Sequence, residues 1–123
     1  MKFTDILVEI CQKWKINTVF GLQGGAVVHI FDSFEKYKLN VIYTHHEQTA
    51  ALAAASFART SNSIGCVVTT TGPGSTNAIT GLMGAFQDSI PVLFISGQVR
   101  SSHVSYKKSV RQFGTQEAPI IDI

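Results

Sequence analysis

The order of apolar and polar residues predicts that helices and strands alternate along the chain. Apolar side chains recur at helical spacing over residues 6–14, after Thr4, which we expect to cap this first helix. A short β-prone run, Thr18–Gly21, is followed by Gly24 and Gly25 and then by a second helical pattern. The first third of the chain is therefore predicted to be helix, strand, glycine turn and helix.

The rest of the chain continues this alternation. Further elements are predicted in the order of a strand at 39–44, an alanine-rich helix at 50–59, a strand at 64–70, a turn at 71–74, a helix at 79–86 and a strand at 91–96. Strands that are nearly continuous apolar runs are typical of a parallel sheet with helices on both faces. The predicted fold is therefore α/β, with three α/β/α layers around a mostly parallel sheet.

Length and composition fit one domain that covers residues 1–123. The chain is 45% hydrophobic and 15% charged, which is less charge than an average soluble domain carries, so we expect part of its surface to be covered. A net charge of +2 is too small to indicate nucleic acid or a membrane as partner. Residues 99–114 lose periodicity and are predicted to form a surface loop, which contains Arg100, Lys107, Lys108 and Arg111, and residues 119–123 could begin another element or a linker.

The cysteines and the first residues of the chain indicate the cellular compartment in which the protein is expected. Cys11 and Cys66 belong to no C-x-x-C motif, and we expect two buried, reduced thiols. The first residues acquire an acid at Asp5 and contain no apolar signal segment. No charged side chain occurs over residues 60–87, but polar residues and glycines interrupt this stretch too often for a membrane span. The prediction is a cytoplasmic protein.

Three glycine-rich or polar segments follow the predicted strands, at residues 21–25, 44–48 and 70–77. In an open parallel sheet, ligands bind beyond the carboxyl ends of the strands, so these segments are expected to converge on one site. The glycines do not have the spacing of a dinucleotide fingerprint, and neither a P-loop motif nor H-E-x-x-H is present. Taken singly, Glu47 is typical of a helix N-terminus, His45 and His46 of structural hydrogen bonding, and Ser75, Thr76 and Asn77 of helix caps.

Taken together and in order, four segments resemble the amino-terminal domain of acetolactate-synthase-type thiamine diphosphate enzymes. The segments are Gly21-Leu22-Gln23-Gly24-Gly25, His46-Glu47-Gln48, Thr71-Gly72-Pro73-Gly74-Ser75-Thr76-Asn77 and Asp88-Ser89-Ile90-Pro91-Val92-Leu93-Phe94-Ile95-Ser96-Gly97-Gln98. Residues 112–117 resemble a later family segment more weakly, and Gln23 stands where proline is common.

The resemblance implies a pyrimidine-binding module. In this family the domain binds the aminopyrimidine half of thiamine diphosphate, and Glu47 matches the catalytic glutamate that hydrogen-bonds ring nitrogen N1′ and so promotes loss of the thiazolium C2 proton. Gln98 would have a nearby structural or substrate-side role. The cofactor-binding residues that the resemblance implies are Gly24, Gly25, Glu47, Thr71, Gly72, Pro73 and Asn77.

The resemblance also implies partners. In this family Mg²⁺ and the diphosphate are held by Gly-Asp-Gly and a later asparagine pair on a separate domain, and this sequence contains neither, so we expect no metal ligand here and no activity of the chain alone. A homo-oligomer acting on pyruvate-like 2-keto acids is implied, and a flavin requirement is left undecided. The alternative is a non-catalytic binding or assembly module, or one subunit of a split thiamine diphosphate-dependent decarboxylase.

Overall fold

The computed structural model describes residues 2–99. Most of the predicted loop at 99–114, with its basic residues, and the segments at 112–117 and 119–123 lie outside this range. The elements, in chain order, are α1 (Phe3–Lys13), β1 (Thr18–Gly21), α2 (Val28–Lys36), β2 (Asn40–Tyr43), α3 (Glu47–Ser61), β3 (Gly65–Thr69), α4 (Pro73–Asn77), α5 (Ile79–Gln87) and β4 (Val92–Ser96).

The described strands form one parallel sheet in the order β2-β1-β3-β4. Phe20 of β1 pairs with Val67 of β3, and Val67 pairs in turn with Phe94 of β4. Since the chain leaves β1 toward β2 on one side and enters β3 on the other, the strand order reverses between β1 and β3. This reversal is the place where open α/β sheets form ligand sites.

Each face of the sheet has its own hydrophobic core, because successive strand residues point to opposite faces. Val19 and Val68 pack under α1 and α2 together with Phe31 and Phe34. Phe20 and Val67 pack on the other face against the alanines of α3, where small side chains allow close approach. The predicted three-layer α/β/α fold is confirmed.

The predicted cap at Thr4 is wrong. Helix α1 begins at Phe3, and the backbone N–H of Lys2 donates to the Asp5 carboxylate at 3.3 Å, the backward contact that an acid in the first turn can make. The Thr4 hydroxyl is hydrogen-bonded to the Ser33 hydroxyl of α2 at 2.7 Å. Thr4 therefore connects two helices instead of starting one.

The predicted turn at 71–74 is also wrong in part, because α4 already begins at Pro73. Gly72 has φ 72° and ψ −129°, a conformation that side chains disfavour, and Pro73 supplies a helical φ at the first position. Ser75, Thr76 and Asn77 consequently lie inside α4 and do not cap α5. Helix α3 starts at Glu47 rather than at residue 50, and both ends of β2 and β3 and the start of β4 differ from prediction by one residue.

Two further sequence predictions can be compared with residues 2–99. Cys11 and Cys66 are free thiols and both are buried, as predicted. Among the helices in this part of the chain, none has the length and apolar character needed to cross a bilayer.

A buried carboxylate joins α1 to α2. Asp5 is 3% exposed, and its carboxylate accepts hydrogen bonds from the Ser33 hydroxyl at 3.0 Å and the Lys36 ammonium at 3.1 Å. Burial raises the pKa of Asp5, but the hydrogen bonds from Lys36, Ser33 and the Lys2 backbone outweigh it and leave the pKa below its ordinary value. The charged form of Asp5 is therefore the one that stabilises this helix pair.

We expect this contact to make stability depend on pH. Because the folded-state pKa of Asp5 is lowered, its stabilisation is present above the unfolded value near 3.8 and is lost as pH falls through the folded value. Asp5→Asn should lower the free energy of unfolding at pH 7 and weaken its decline between pH 4 and pH 2, measured by urea unfolding. Thr4→Val removes a neighbouring contact without removing an acid. It should lower the free energy of unfolding at every pH and leave its decline between pH 4 and pH 2 unchanged. An unchanged acid slope in Asp5→Asn would contradict this assignment.

Candidate functional site

The three predicted segments meet at the carboxyl edge of the sheet. A Cβ at Gly24, in the loop after β1, would overlap the Cβ of Thr70 and lie 2.6 Å from its hydroxyl oxygen. A Cβ at Gly74, after β3, would lie 2.7 Å from the Thr70 methyl group and 3.4 Å from Oε1 of Glu47. The loops after β1 and β3 and the start of α3 therefore surround one point near the switch between β1 and β3.

Glu47 is a buried acid in the first turn of α3, with 8% of its surface exposed. The preceding residue, His46, caps the helix, since its Nδ1 accepts from the Gln48 backbone N–H at 3.1 Å. This confirms a structural role for His46 and leaves the Glu47 carboxylate free of the capping task. The helix N-terminus favours a negative charge at this position.

The two oxygens of Glu47 have different surroundings. Oε2 accepts a hydrogen bond from the Asn77 side-chain amide at 3.0 Å. Oε1 faces Gly74, and among residues 2–99 no hydrogen-bond donor reaches it. A buried acceptor with no donor among residues 2–99 has hydrogen-bonding capacity left, which a ligand that supplies a donor could use. A ring nitrogen that shares a proton with this oxygen fits that requirement.

A family model described as "Thiamine pyrophosphate enzyme, N-terminal TPP binding domain" matches residues 1–120. The chain belongs to this family. The parallel sheet with helices on both faces is consistent with the membership, and the resemblance seen in the four sequence segments is confirmed.

Individual relatives are acetolactate synthase large subunits. The chain is 41% identical to the large subunit of Haemophilus influenzae over 99 residues. This aligned stretch covers 80% of the chain and 17% of the relative. It is 44% identical over 89 residues to the isozyme 2 large subunit of Escherichia coli K12, covering 72% and 16%. A probable acetolactate synthase large subunit of Methanocaldococcus jannaschii is 40% identical over 99 residues, covering 80% and 17%. The chain thus spans about a sixth of the length of these relatives.

The TPP-binding domain places its other predicted site residues in different settings. Gly24 is in contact with Thr70, whereas a Cβ at Gly25 would meet nothing within 4 Å. Gly72 and Pro73 form the turn into α4, and Thr71 precedes them. Among the described contacts, Asn77 is the predicted residue that is hydrogen-bonded to Glu47.

Two residues matter that the site prediction omitted. Thr70 lies between the two glycine loops and fills the space that both glycines leave. The Ser75 hydroxyl donates to the Thr70 carbonyl at 2.7 Å and is also hydrogen-bonded to the hydroxyls of Thr69 and Ser96. Hydroxyl residues at the end of two strands and in the next turn could have indicated this network from the sequence.

The residues around Gln98 are packed against the same edge. A Cβ at Gly97 would lie 2.8 Å from the Ala26 Cβ and 3.3 Å from the Thr71 nitrogen, so the exit of β4 contacts both glycine loops. The Gln98 side chain accepts from the Val99 backbone N–H at 2.8 Å, a local contact. Gln23 donates to the Tyr43 hydroxyl at 3.1 Å, which ties the loop after β1 to β2.

Metal ligands can be considered in the same region. Residues 2–99 contain no group of three His, Cys, Asp or Glu side chains arranged to hold a metal ion.

The two adjacent glycines provide a matched test of the packing. Gly24→Ala should lower the free energy of unfolding by about 1–3 kcal/mol, because the new methyl group overlaps Thr70 and the loop must move. Gly25→Ala should change it by less than about 0.5 kcal/mol, since its Cβ enters open space. Urea unfolding of both variants measures the difference, and equal effects would refute the close contact of the loops.

Proposed function

We propose that this chain binds the aminopyrimidine half of thiamine diphosphate and that Glu47 contacts ring nitrogen N1′. The observation that carries the proposal is the buried Glu47 carboxylate, which has Oε2 bonded to Asn77 and Oε1 on the side of Gly74 with no donor among residues 2–99. A carboxyl group withdrawn from water can share a proton with a weakly basic ring nitrogen. Membership of the TPP-binding family supports the same ligand.

Other residues shape the place for a flat ring. Gly72 turns the chain sharply into α4, and Gly74 lets this turn pack against Thr70, where a Cβ would overlap the Thr70 methyl group. We assign contacts with the cofactor or its immediate surroundings to Gly24, Gly25, Thr71, Gly72 and Pro73. Thiamine diphosphate bound here would supply a nucleophilic thiazolium carbon and a cationic ring that acts as an electron sink for the decarboxylation of a 2-keto acid.

For the whole protein we propose an acetolactate-synthase-like activity on pyruvate-like 2-keto acids, by decarboxylation and carboligation. The support is the similarity to three acetolactate synthase large subunits. We place the diphosphate and Mg²⁺ on a separate domain, because the family's Gly-Asp-Gly segment does not occur in these 123 residues. The chain alone should therefore be inactive.

Partner surfaces are part of the same proposal. Leu52 of α3 and Phe86 of α5 are 46% and 60% exposed, and exposed apolar side chains of this size favour contact with another domain or subunit. We propose a homo-oligomer in which a diphosphate-binding domain of the same or another chain completes the site. Two free buried thiols support a reducing, cytoplasmic location.

The role of Glu47 can be tested in a chimera. This chain replaces the matching segment of the Haemophilus influenzae large subunit, and we measure acetolactate formation and deuterium exchange at C2 of the bound cofactor. Glu47→Gln should slow both by about 100-fold or more, because the amide cannot take part in proton transfer. Glu9→Gln, an exposed acid on α1, should leave both unchanged.

A second arm uses the chain alone. Thiamine added to the labelled chain should shift the backbone amide signals around Glu47 and Gly74 in an NMR titration, and Glu47→Gln should abolish these shifts. Normal C2 exchange in the Glu47→Gln chimera, with no shifts at either residue of the wild-type chain, would overturn the proposed function.

A further inference from the structure

Asn77 and Glu47 come from separate elements and meet inside the site. Asn77 is the last residue of α4, Glu47 is the first residue of α3, and the amide nitrogen lies 3.0 Å from Oε2. The resemblance assigns Asn77 to cofactor binding. The geometry gives its amide a different partner, since one of its N–H groups is already donated to the carboxylate.

Helix α4 is held firmly enough to fix this amide. The Ser75 backbone N–H donates to the Gly72 carbonyl at 3.0 Å, and the Ala78 N–H donates to the Ser75 carbonyl at 3.0 Å. The Ser75 hydroxyl also donates to the Thr70 carbonyl at 2.7 Å, which ties α4 to the end of β3. Asn77 is therefore presented from a short helix anchored to the central sheet.

The hydrogen bond decides which carboxylate oxygen is available. The terminal torsion of a glutamate is broad, so an unrestrained carboxylate would sample many orientations. With Oε2 held by Asn77, Oε1 is directed toward Gly74, where a Cβ would lie 3.4 Å away. A Cβ at position 74 would be in van der Waals contact with that oxygen and would overlap the Thr70 methyl group.

We propose that Asn77 is a positioning residue, which holds Oε2 of Glu47 so that Oε1 is the oxygen that exchanges a proton with the aminopyrimidine. This inference rests on the proposed function of Glu47. It predicts that Asn77 affects the proton-transfer step through Glu47 and contributes little to the affinity for the cofactor.

The first test detects the contact in the chain itself, with no cofactor. The Asn77 side-chain NH₂ signals in a nitrogen-15 NMR spectrum should be displaced downfield, and Glu47→Gln should shift them toward free-amide values. Glu9→Gln should leave them in place. Asn77 signals that do not respond to Glu47→Gln would overturn the inference.

The second test uses the Haemophilus influenzae chimera. Asn77→Ala should lower kcat and the C2 exchange rate by about 10- to 100-fold, the effect of losing a hydrogen bond to a charged group. KM for pyruvate and the dissociation constant of thiamine diphosphate should change less than threefold. Asn77→Asp keeps the shape of the side chain but places a second carboxylate acceptor against Oε2 of Glu47. It should lower kcat and the C2 exchange rate at least as much as Asn77→Ala. Asn17→Ala, an exposed asparagine before β1, is the matched control and should behave as wild type.

The decisive readout is the double variant. If Asn77 acts through Glu47, adding Asn77→Ala to Glu47→Gln should cause less than a twofold further loss, because the positioned group is already gone. A multiplicative loss, or a dissociation constant for thiamine diphosphate raised tenfold or more by Asn77→Ala, would overturn the inference and leave Glu47 assigned. Normal C2 exchange in the Glu47→Gln chimera, together with no thiamine shifts at Glu47 or Gly74 of the wild-type chain, would overturn the proposed function itself, and this inference with it.

Discussion

The parallel pairing of β1 with β3 is the constraint on which the candidate site depends. It brings the carboxyl ends of both strands to one edge, at the place where the strand order reverses. The loops that leave these ends are close enough for Gly24 and Gly74 to share Thr70 as a neighbour. Because both faces of the pair are buried under helices, a shift of one residue would exchange the two cores and is strongly opposed.

Two buried carboxylates show how stability and function differ in this protein. Asp5 accepts from Ser33, Lys36 and the Lys2 backbone, so its burial is fully compensated and it joins two helices. Glu47 accepts from Asn77, and within residues 2–99 no second donor reaches its carboxylate. A buried carboxylate with one oxygen lacking a described donor calls for an explanation that a fully paired one does not, and this contrast favours a functional interpretation of Glu47 over a structural one.

Small residues allow the elements around the site to pack closely. A Cβ at Gly65 would overlap the Ala54 carbonyl oxygen, and a Cβ at Gly81 would overlap the Ala51 Cβ, so α3 lies directly against β3 and α5. The first turn of α3 carries Glu47, and the contact with β3 sets its distance from α4. The alanines of α3 therefore pack the core on that face and also let the helix that carries Glu47 lie close to the sheet.

The sequence by itself determined the α/β alternation, because apolar periodicity and glycine turns are local properties, and its four motif segments carried the resemblance to the family. It placed β1 without error and the other strands within one residue, but it misjudged Thr4 and the start of α4, where Asp5 and Gly72 decide the local structure. Only the tertiary structure decided that Asn77 bonds Oε2 of Glu47, that Oε1 lies on the side of Gly74, and that Gly24 approaches Thr70 while Gly25 faces open space. These contacts join residues far apart in the chain, and their geometry follows from how the helices pack on the sheet.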